Sequence, residues 1–331
     1  MKTNLKNKYV IGVHVMFYEV EIYKYYIDGL INLLSTIDNK DNITLDFCFN
    51  ISQNLEKIDL NKISKEQLVS KFHDGINKLL AIGMKDMKIR IVDDPEFYSQ
   101  TDYRRELNYF YCRKVDYIIW GETDSLIPKE GIQAIEALSE YAKSQNIYRY
   151  IMCFADRKMW DESWNPTVHS DYENILFVDD DKQCDNLNYS KSSLSLEKMN
   201  EINSKVQDFD FRYINYPKID GSFLVISCDL IKSGVNIPPC FVHNDDETFG
   251  LMAKLICGEK FIQFICKNLL KVHARRHPEK RMYVLNENNK RGFCGKEKGD
   301  IWLKYVKLSK ENISTILNSQ NRFYDIKDLN I

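Results

Sequence analysis

The feature that most constrains this chain is the regular exchange of strand-like and helix-like segments through its first half. The run Tyr9 to Phe17 is apolar and β-rich, Ile22, Tyr25, Tyr26, Leu30, Leu33 and Leu34 then recur at helical spacing, and Ile43 to Ile51 returns to strand. A strand, a helix and a second strand in that order form a β-α-β unit, in which the helix carries the chain back to pair the strands in parallel. The exchange continues. Lys65 to Ile82 is helical in period, Lys88 to Val92 is a short strand, and Asp102 to Lys114 reads as a helix with Leu107, Phe110 and Tyr111 on one face. Val115 to Trp120 is a buried strand, Lys129 to Lys143 spaces Ile132, Ile135, Leu138 and Tyr141 by threes, and Tyr148 to Phe154 is a strand again. This alternation predicts an α/β fold with a mixed, mostly parallel central sheet flanked by helices.

The second half is less regular. Asp179 to Gln207 is polar, with Asp179-Asp180-Asp181 and the Ser/Lys/Asn-rich run Asn188 to Asn203, and reads as a surface excursion, a helix-bearing insertion or lid with few core residues. Strand character returns at Ser222 to Ser227 and within Phe261 to Val272, with a helix over Glu247 to Leu255 between them. A charged Gly/Lys loop, Gly292 to Gly299, leads to a helix from Ile301 to about Leu317. At roughly 150 residues per domain, 331 residues allow two domains or one large α/β domain with additions. The expected division is one domain over 1–281, carrying the excursion at about 179–207, and a C-terminal elaboration over 282–331.

Composition removes several function classes. Lys+Arg 46 against Asp+Glu 48 gives a net charge of −2, so no global positive field draws the chain to nucleic acid or anionic lipid. A local basic patch stays open, since Lys271 to Arg281 and Lys290 to Lys298 are rich in cations. The nine cysteines are scattered singly with no Cys-x-x-Cys pair, which fits buried thiols in a reducing compartment. The first apolar run is broken by His14, and no stretch reaches eighteen uninterrupted apolar residues, so the expectation is a cytoplasmic chain without a transmembrane segment. A P-loop, a Gly-x-Gly-x-x-Gly turn after the first strand and a Gly-x-Ser-x-Gly elbow are all missing. Metal-assisted group transfer is the chemistry left.

The sharpest motif is Gly121-Glu122-Thr123-Asp124, directly after the buried strand Val115 to Trp120. Open α/β sheets bind ligands at the carboxyl ends of their strands, and residues i and i+2 of an extended segment point the same way. Glu122 and Asp124 can therefore face one divalent cation, and hard carboxylate oxygens suit Mg²⁺ or Mn²⁺, either of which would neutralise a diphosphate. Two solvated acids at a strand end are the plain alternative.

This segment resembles the acid-x-acid motif of nucleotide-sugar glycosyltransferases with the GT-A fold, with glutamate in place of the commoner first aspartate. The resemblance runs from about Tyr9 to about Arg281 and is sharp only here and at Asp245-Asp246-Glu247. It implies a GT-A-like sheet, a nucleotide-sugar donor with UDP preferred, and Mn²⁺ or Mg²⁺ held by Glu122 and Asp124. Asp245-Asp246-Glu247 resembles the acidic motif of inverting members, which implies a catalytic base, Asp246 first and Asp245 second; acids at a helix start are also what the helix dipole and capping favour. His273, with His277 as the alternative, matches the C-terminal histidine that many members place on the metal. Weaker carry-overs assign the donor to Tyr18 and Glu19 after the first strand, Asp93 and Asp94 after the strand Lys88 to Val92, Arg104 and Arg105 on the following helix, and Gly221 and Ser222 at the turn into Ser222 to Ser227. By itself, Gly221 permits positive φ or close approach of a ligand to the backbone.

The function expected is therefore metal-dependent transfer of a sugar from a nucleotide diphosphate sugar to an acceptor hydroxyl, with inversion. A glycan and a hydroxylated DNA base are both open as acceptor. Two other readings remain: a sugar-1-phosphate nucleotidyltransferase, whose Gly-rich N-terminal loop is absent here, and a non-catalytic nucleotide-sugar or glycan binding protein.

Overall fold

A computed structural model describes residues 2–51, 58–93, 98–157, 162–172, 194–215, 217–239, 241, 244–273, 282–283 and 307–315. Of the expected site residues, Asp94 and His277 lie outside the described residues, as do most of the polar excursion and of the basic C-terminal segment.

The parallel half of the sheet forms where the periodicity placed it. β1 (Tyr9–Met16) pairs in parallel with β2 (Ile43–Asn50) and with β4 (Tyr117–Gly121), and β2 pairs in parallel with β3 (Met87–Val92). The intervening helices are α1 (Val20–Ser35), α2 (Lys65–Ala81) and α3 (Gln100–Tyr111); α2 and α3 each begin with a serine capping box, Ser64 with Gln67 and Ser99 with Asp102. The other half is mixed. β8 (Leu224–Ser227) runs antiparallel to both β4 and β6 (Tyr150–Ala155), β9 (Ile262–Leu270) is parallel to β6, and β7 (Phe211–Ile214) closes the edge antiparallel to β9. The eight strands lie in the order β3-β2-β1-β4-β8-β6-β9-β7. The mixed, mostly parallel sheet flanked by helices is thus present.

Both faces are covered at the centre of the sheet, which is why β4 is buried at every position, while the edge strands β3 and β7 are largely exposed. Tyr117 and Ile119 join the core under α1, α2 and α4 (Gly131–Ser144), whereas Ile118 and Trp120 join the core under α3 and α7 (Asp245–Cys257). Residue 12 must be small for the second core to close. A Cβ there would lie 2.2 Å from Leu107 Cδ2 and 2.9 Å from the Tyr103 hydroxyl, so Gly12 lets α3 press on β1.

Several expectations change in detail. Phe110 and Tyr141 are exposed at 54% and 52%, because Arg104, Leu107, Asn108 and Tyr111 form the inner stripe of α3 and Leu138 and Ala142 that of α4. The stretch from Asn188 does contribute to the core: α5 (Leu196–Asn203) buries Met199 against Leu126, Leu270 and Val272, and the Asn203 side chain bonds both Leu270 backbone groups. Its polar character is that of an amphipathic helix whose inward face is Met199 flanked by half-buried Ile202 and by Leu196. A short helix, α6 (Cys228–Lys232), and a pair of two-residue strands, β5 (Ser125–Leu126) and β10 (Val272–His273), were too brief to show in the periodicity. The described cysteines are free thiols, all buried except the half-buried Cys257, and no described helix is long and apolar enough to cross a membrane.

Candidate functional site

The end of β4 is where the chemistry collects. β4 stops at Gly121, and the chain turns through Glu122, Thr123 and Asp124, with the Ser125 N–H closing the turn onto the Glu122 carbonyl at 3.1 Å. Thr123 points inward, is 3% exposed and donates to Glu19 Oε2 at 2.8 Å. The two acids on either side project together toward one imidazole: His273 Nε2 lies 3.0 Å from Glu122 Oε2 and 3.5 Å from Asp124 Oδ1. The small β10–β5 pair makes this possible, since its register sets His273 opposite Ser125, the residue after Asp124.

A third acid stands on the other edge of the same ring. Asp220 Oδ1 lies 3.4 Å from His273 Nδ1, and ligand atoms of Glu122, Asp220 and His273 all fall within 4.8 Å of one another. Asp220 is 4% exposed and its Oδ2 accepts from Lys271 Nζ at 2.8 Å; the same ammonium donates to the Ser222 carbonyl at 2.5 Å and contacts the Ser222 hydroxyl at 3.3 Å. Lys271 is 1% exposed, so this is a buried pair, and neither partner can be removed without stranding the other.

Arg104 ties the two acidic motifs together. From the inner face of α3 its guanidinium donates to Asp245 Oδ2 at 2.5 Å, to Glu122 Oε1 at 2.7 Å and to the Gly221 carbonyl at 3.0 Å, and it lies over the Trp120 ring at 4.7 Å. Gly221 has no positive φ. It is glycine because of close approach, and the approaching group is Arg104: a Cβ at 221 would sit 2.3 Å from Nη1. Asp245 and Asp246 form the first turn of α7 and do not precede the helix. Asp245 is held by Arg104, whereas Asp246, half-buried, accepts from the Glu247 N–H at 2.8 Å.

Five carboxylates, those of Glu122, Asp124, Asp220, Asp245 and Asp246, thus share this region with three basic side chains, Arg104, Lys271 and His273. The imbalance shows in their titration. Burial works to lower the His273 imidazole, but Asp220 and the hydrogen bonds to Asp124, Asp220 and Glu122 hold it well above its usual value. Burial works to raise Glu122 and Asp220; His273 and Arg104 hold the first low, and Lys271 and His273 hold the second low. Asp246 goes the other way. Burial and the neighbouring Asp245 charge push it up to about 7. The donor set of carboxylate oxygens and one imidazole, with its excess of negative charge, fits a divalent cation of the Mg²⁺ or Mn²⁺ kind.

The remaining expected residues are distributed more widely. Glu19 joins the site through Thr123, and Tyr18 packs edge-on against Phe17. Asp93 pairs with Lys65 at the surface, 2.7 Å away. Arg105 is used structurally: it donates to Asp102 and to the carbonyls of Ile237 and Phe241, fixing the chain that leads to α7. Ser222 is fully buried on Lys271. Two site members, Asp220 and Lys271, went unrecognised in the sequence, as did their buried neighbour Asp156. Asp156, at the end of β6 and 3% exposed, has a side-chain Oδ2 without a hydrogen-bond partner; burial raises its carboxyl, opposed first by Lys271. Asp220 precedes Gly221 as an ordinary turn residue would, and only its partner 51 positions later distinguishes it. A surface cavity lies elsewhere, lined by Asn165, Pro166, Arg212, Tyr213 and Lys267 near β7, and includes none of these acids.

Compared by sequence, the chain matches no protein-family model and no curated protein. Among solved structures it is similar to M. tuberculosis glucosyl-3-phosphoglycerate synthase, with a TM-score of 0.37 and 11% identity, covering 87% of this chain and 77% of that one. It is also similar to GalNAc-T7, solved with UDP, GalNAc and Mn²⁺, with a TM-score of 0.47 and 9% identity, covering 98% of this chain and 53% of that one. The chain spans about half the length of GalNAc-T7. Likeness at this level leaves the chemistry to be argued from the site's own side chains.

Proposed function

We propose that the chain is a metal-dependent glycosyltransferase of the GT-A type, acting on a nucleoside diphosphate sugar. The observation that carries this reading is the convergence of Glu122 and Asp124 on His273 Nε2 at the carboxyl end of β4, with Asp245 joined to the same cluster through Arg104 and Asp246 next to it in the first turn of α7. Glu122, Asp124 and His273 are the residues that would hold Mn²⁺ or Mg²⁺. Such a cation, when bound, neutralises the diphosphate and stabilises it as a leaving group.

The chain's own groups account for the rest. Arg104 keeps Glu122 aimed at the site and prevents Asp245 and Glu122 from repelling one another. Asp246 is the base: its carboxyl, raised to about 7 by burial and Asp245, is poised close to neutral pH, where a general base is most effective. The acceptor oxygen bonds to the anomeric carbon as its proton passes to Asp246. The bond from that carbon to the diphosphate breaks, its electron pair leaves with the nucleoside diphosphate, and configuration inverts. The acceptor hydroxyl belongs to a glycan or to a hydroxylated DNA base.

The test is product analysis by mass spectrometry after incubation with Mn²⁺, a panel of sugar nucleotides led by UDP-sugars, and both acceptor classes. Transfer or slow donor hydrolysis that disappears with chelator supports the reading. Nucleotide binding without turnover across the panel would make the chain a binding protein, and release of pyrophosphate from a nucleoside triphosphate and a sugar phosphate would make it a nucleotidyltransferase.

A further inference from the structure

We propose that Asp220, clamped by Lys271, is a positioning residue that sets the ring of His273, holding Nδ1–H and thereby presenting Nε2 between Glu122 and Asp124. The inference rests on the metal-binding reading above and deepens it, because it assigns separate roles to three acids that all lie within 3.5 Å of one histidine.

Proximity alone would make Asp220 a ligand, since its oxygen falls within 4.8 Å of the ligand atoms of Glu122 and His273. The partners say otherwise. Glu122 Oε2 and Asp124 Oδ1 face Nε2, whereas Asp220 Oδ1 faces Nδ1. Only the neutral imidazole binds a cation, and it has one nitrogen that donates and one that accepts, so with a cation at Nε2 the anion fixed beside Nδ1 keeps the ring's remaining proton there. Asp220 is also already engaged. Its Oδ1 accepts from the Ser222 N–H at 2.9 Å and its Oδ2 from Lys271 at 2.8 Å, so its charge is spent on a buried ammonium. Lys271 lies between β9 and β10, two positions before His273, and the side chains of both meet Asp220. The backbone of Lys271 is fixed in turn by its N–H bond to the Ala155 carbonyl at 2.8 Å. Ring, aspartate and lysine form one chain of contacts from the end of β6 to the end of β4.

The experiment uses the full chain and Mn²⁺ alone as probe, with calorimetry for affinity and, in the Mg²⁺-loaded protein, nitrogen-15 NMR of the histidine rings, the His273 signals being identified by their loss in His273→Gln. The wild type is expected to show protonated Nδ1 at His273. Asp220→Asn, which keeps shape and removes charge, is expected to weaken Mn²⁺ about tenfold or more and to mix the two ring tautomers, and Asp220→Glu to recover part of the affinity. Unchanged Mn²⁺ affinity and an unchanged ring pattern in Asp220→Asn overturn the proposal while the metal reading stands. A wild-type ring protonated on Nε2 overturns it even if the variants fail to fold. So does loss of a protein ligand from the Mn²⁺ spectrum of Asp220→Asn, which makes Asp220 a direct ligand. A wild type with no Mn²⁺ affinity removes both readings, whereas Mn²⁺ binding without glycosyl transfer removes only the proposed function.

Discussion

Asp245 Oδ2 lies 2.5 Å from Nη1 of Arg104, across 141 positions of sequence. The second nitrogen of the same guanidinium holds Glu122 at 2.7 Å, so one side chain on α3 joins the end of β4 to the start of α7. A planar fork presents several donors in a fixed spread that suits two carboxylates at once, whereas an ammonium is a compact point charge without that fixed geometry. Arg104→Met is therefore expected to strip buried Asp245 of its cation and Glu122 of one of its two, and to cost about 3 kcal/mol or more of unfolding free energy, with Arg104→Lys recovering only part. Urea denaturation measures it, and a loss under about 1 kcal/mol would show that water replaces the guanidinium.

The glycine beneath that guanidinium should be nearly as sensitive. Gly221→Ala places a methyl 2.3 Å from Nη1, and because Arg104 is pinned at both ends it cannot swing away freely. A loss of about 1–3 kcal/mol is expected, together with weaker Mn²⁺ binding, because Glu122 moves with Arg104. Stability and Mn²⁺ affinity both at wild-type values would refute the close-approach explanation.

Asp124 makes a cleaner test of the cation. Its carboxylate belongs to a cluster with excess negative charge, so Asp124→Asn should leave the metal-free melting temperature close to that of the wild type. Excess Mn²⁺ stabilises a protein that binds it by about 2.7 kcal/mol at a hundred times the dissociation constant. That Mn²⁺-induced rise in melting temperature is expected in the wild type and should be largely gone in the variant; an equal rise in both would remove Asp124 from the site.

Asp246 should reveal itself through pH. Its carboxyl is raised to about 7 in the folded chain, from an ordinary value near 3.8. Between those values the folded state holds a proton that the unfolded state has lost, so this group's contribution to stability is present at low pH and falls away as pH rises toward 7. Asp246→Asn should flatten that limb of the melting profile. In the same variant kcat should fall about a hundredfold or more with donor affinity nearly unchanged. Normal turnover would move the base to Asp245 or end the inverting assignment.

His14 predicts the opposite slope. Burial, with the charges of Arg104 and Arg90, lowers its imidazole to about 3 from 6.5. Below 6.5 the unfolded chain takes up a proton that the folded chain refuses, so stability is full above that pH and declines as pH falls toward 3. A His14→Asn variant should lose stability less steeply in acid, and an identical acid limb in both proteins would contradict the burial argument.

What the sequence determined by itself is local and periodic. The apolar run Tyr117 to Trp120 announces a strand buried on both faces, and where it ends in the open α/β sheet, Glu122 and Asp124 have nowhere to point but the ligand-binding end. The helices of the first half were legible for the same reason, since burial repeats at helical spacing in α1 to α4. The short elements were not. β5 and β10 have two residues each, too few to show a period, yet their register decides that His273 meets Asp124.

Only the tertiary structure decided which charges share a site. Arg104 resembles a surface cation on an amphipathic helix until α3 is pressed onto β1 over Gly12, and Asp220 resembles a turn acid until Lys271 arrives beneath it. The physical reason is that an ion pair's energy depends on distance through the fold and on exclusion of water, and neither is written in spacing along the chain. The sequence therefore names the acids that a strand end exposes, and the order of the strands names the cations and the imidazole that complete them.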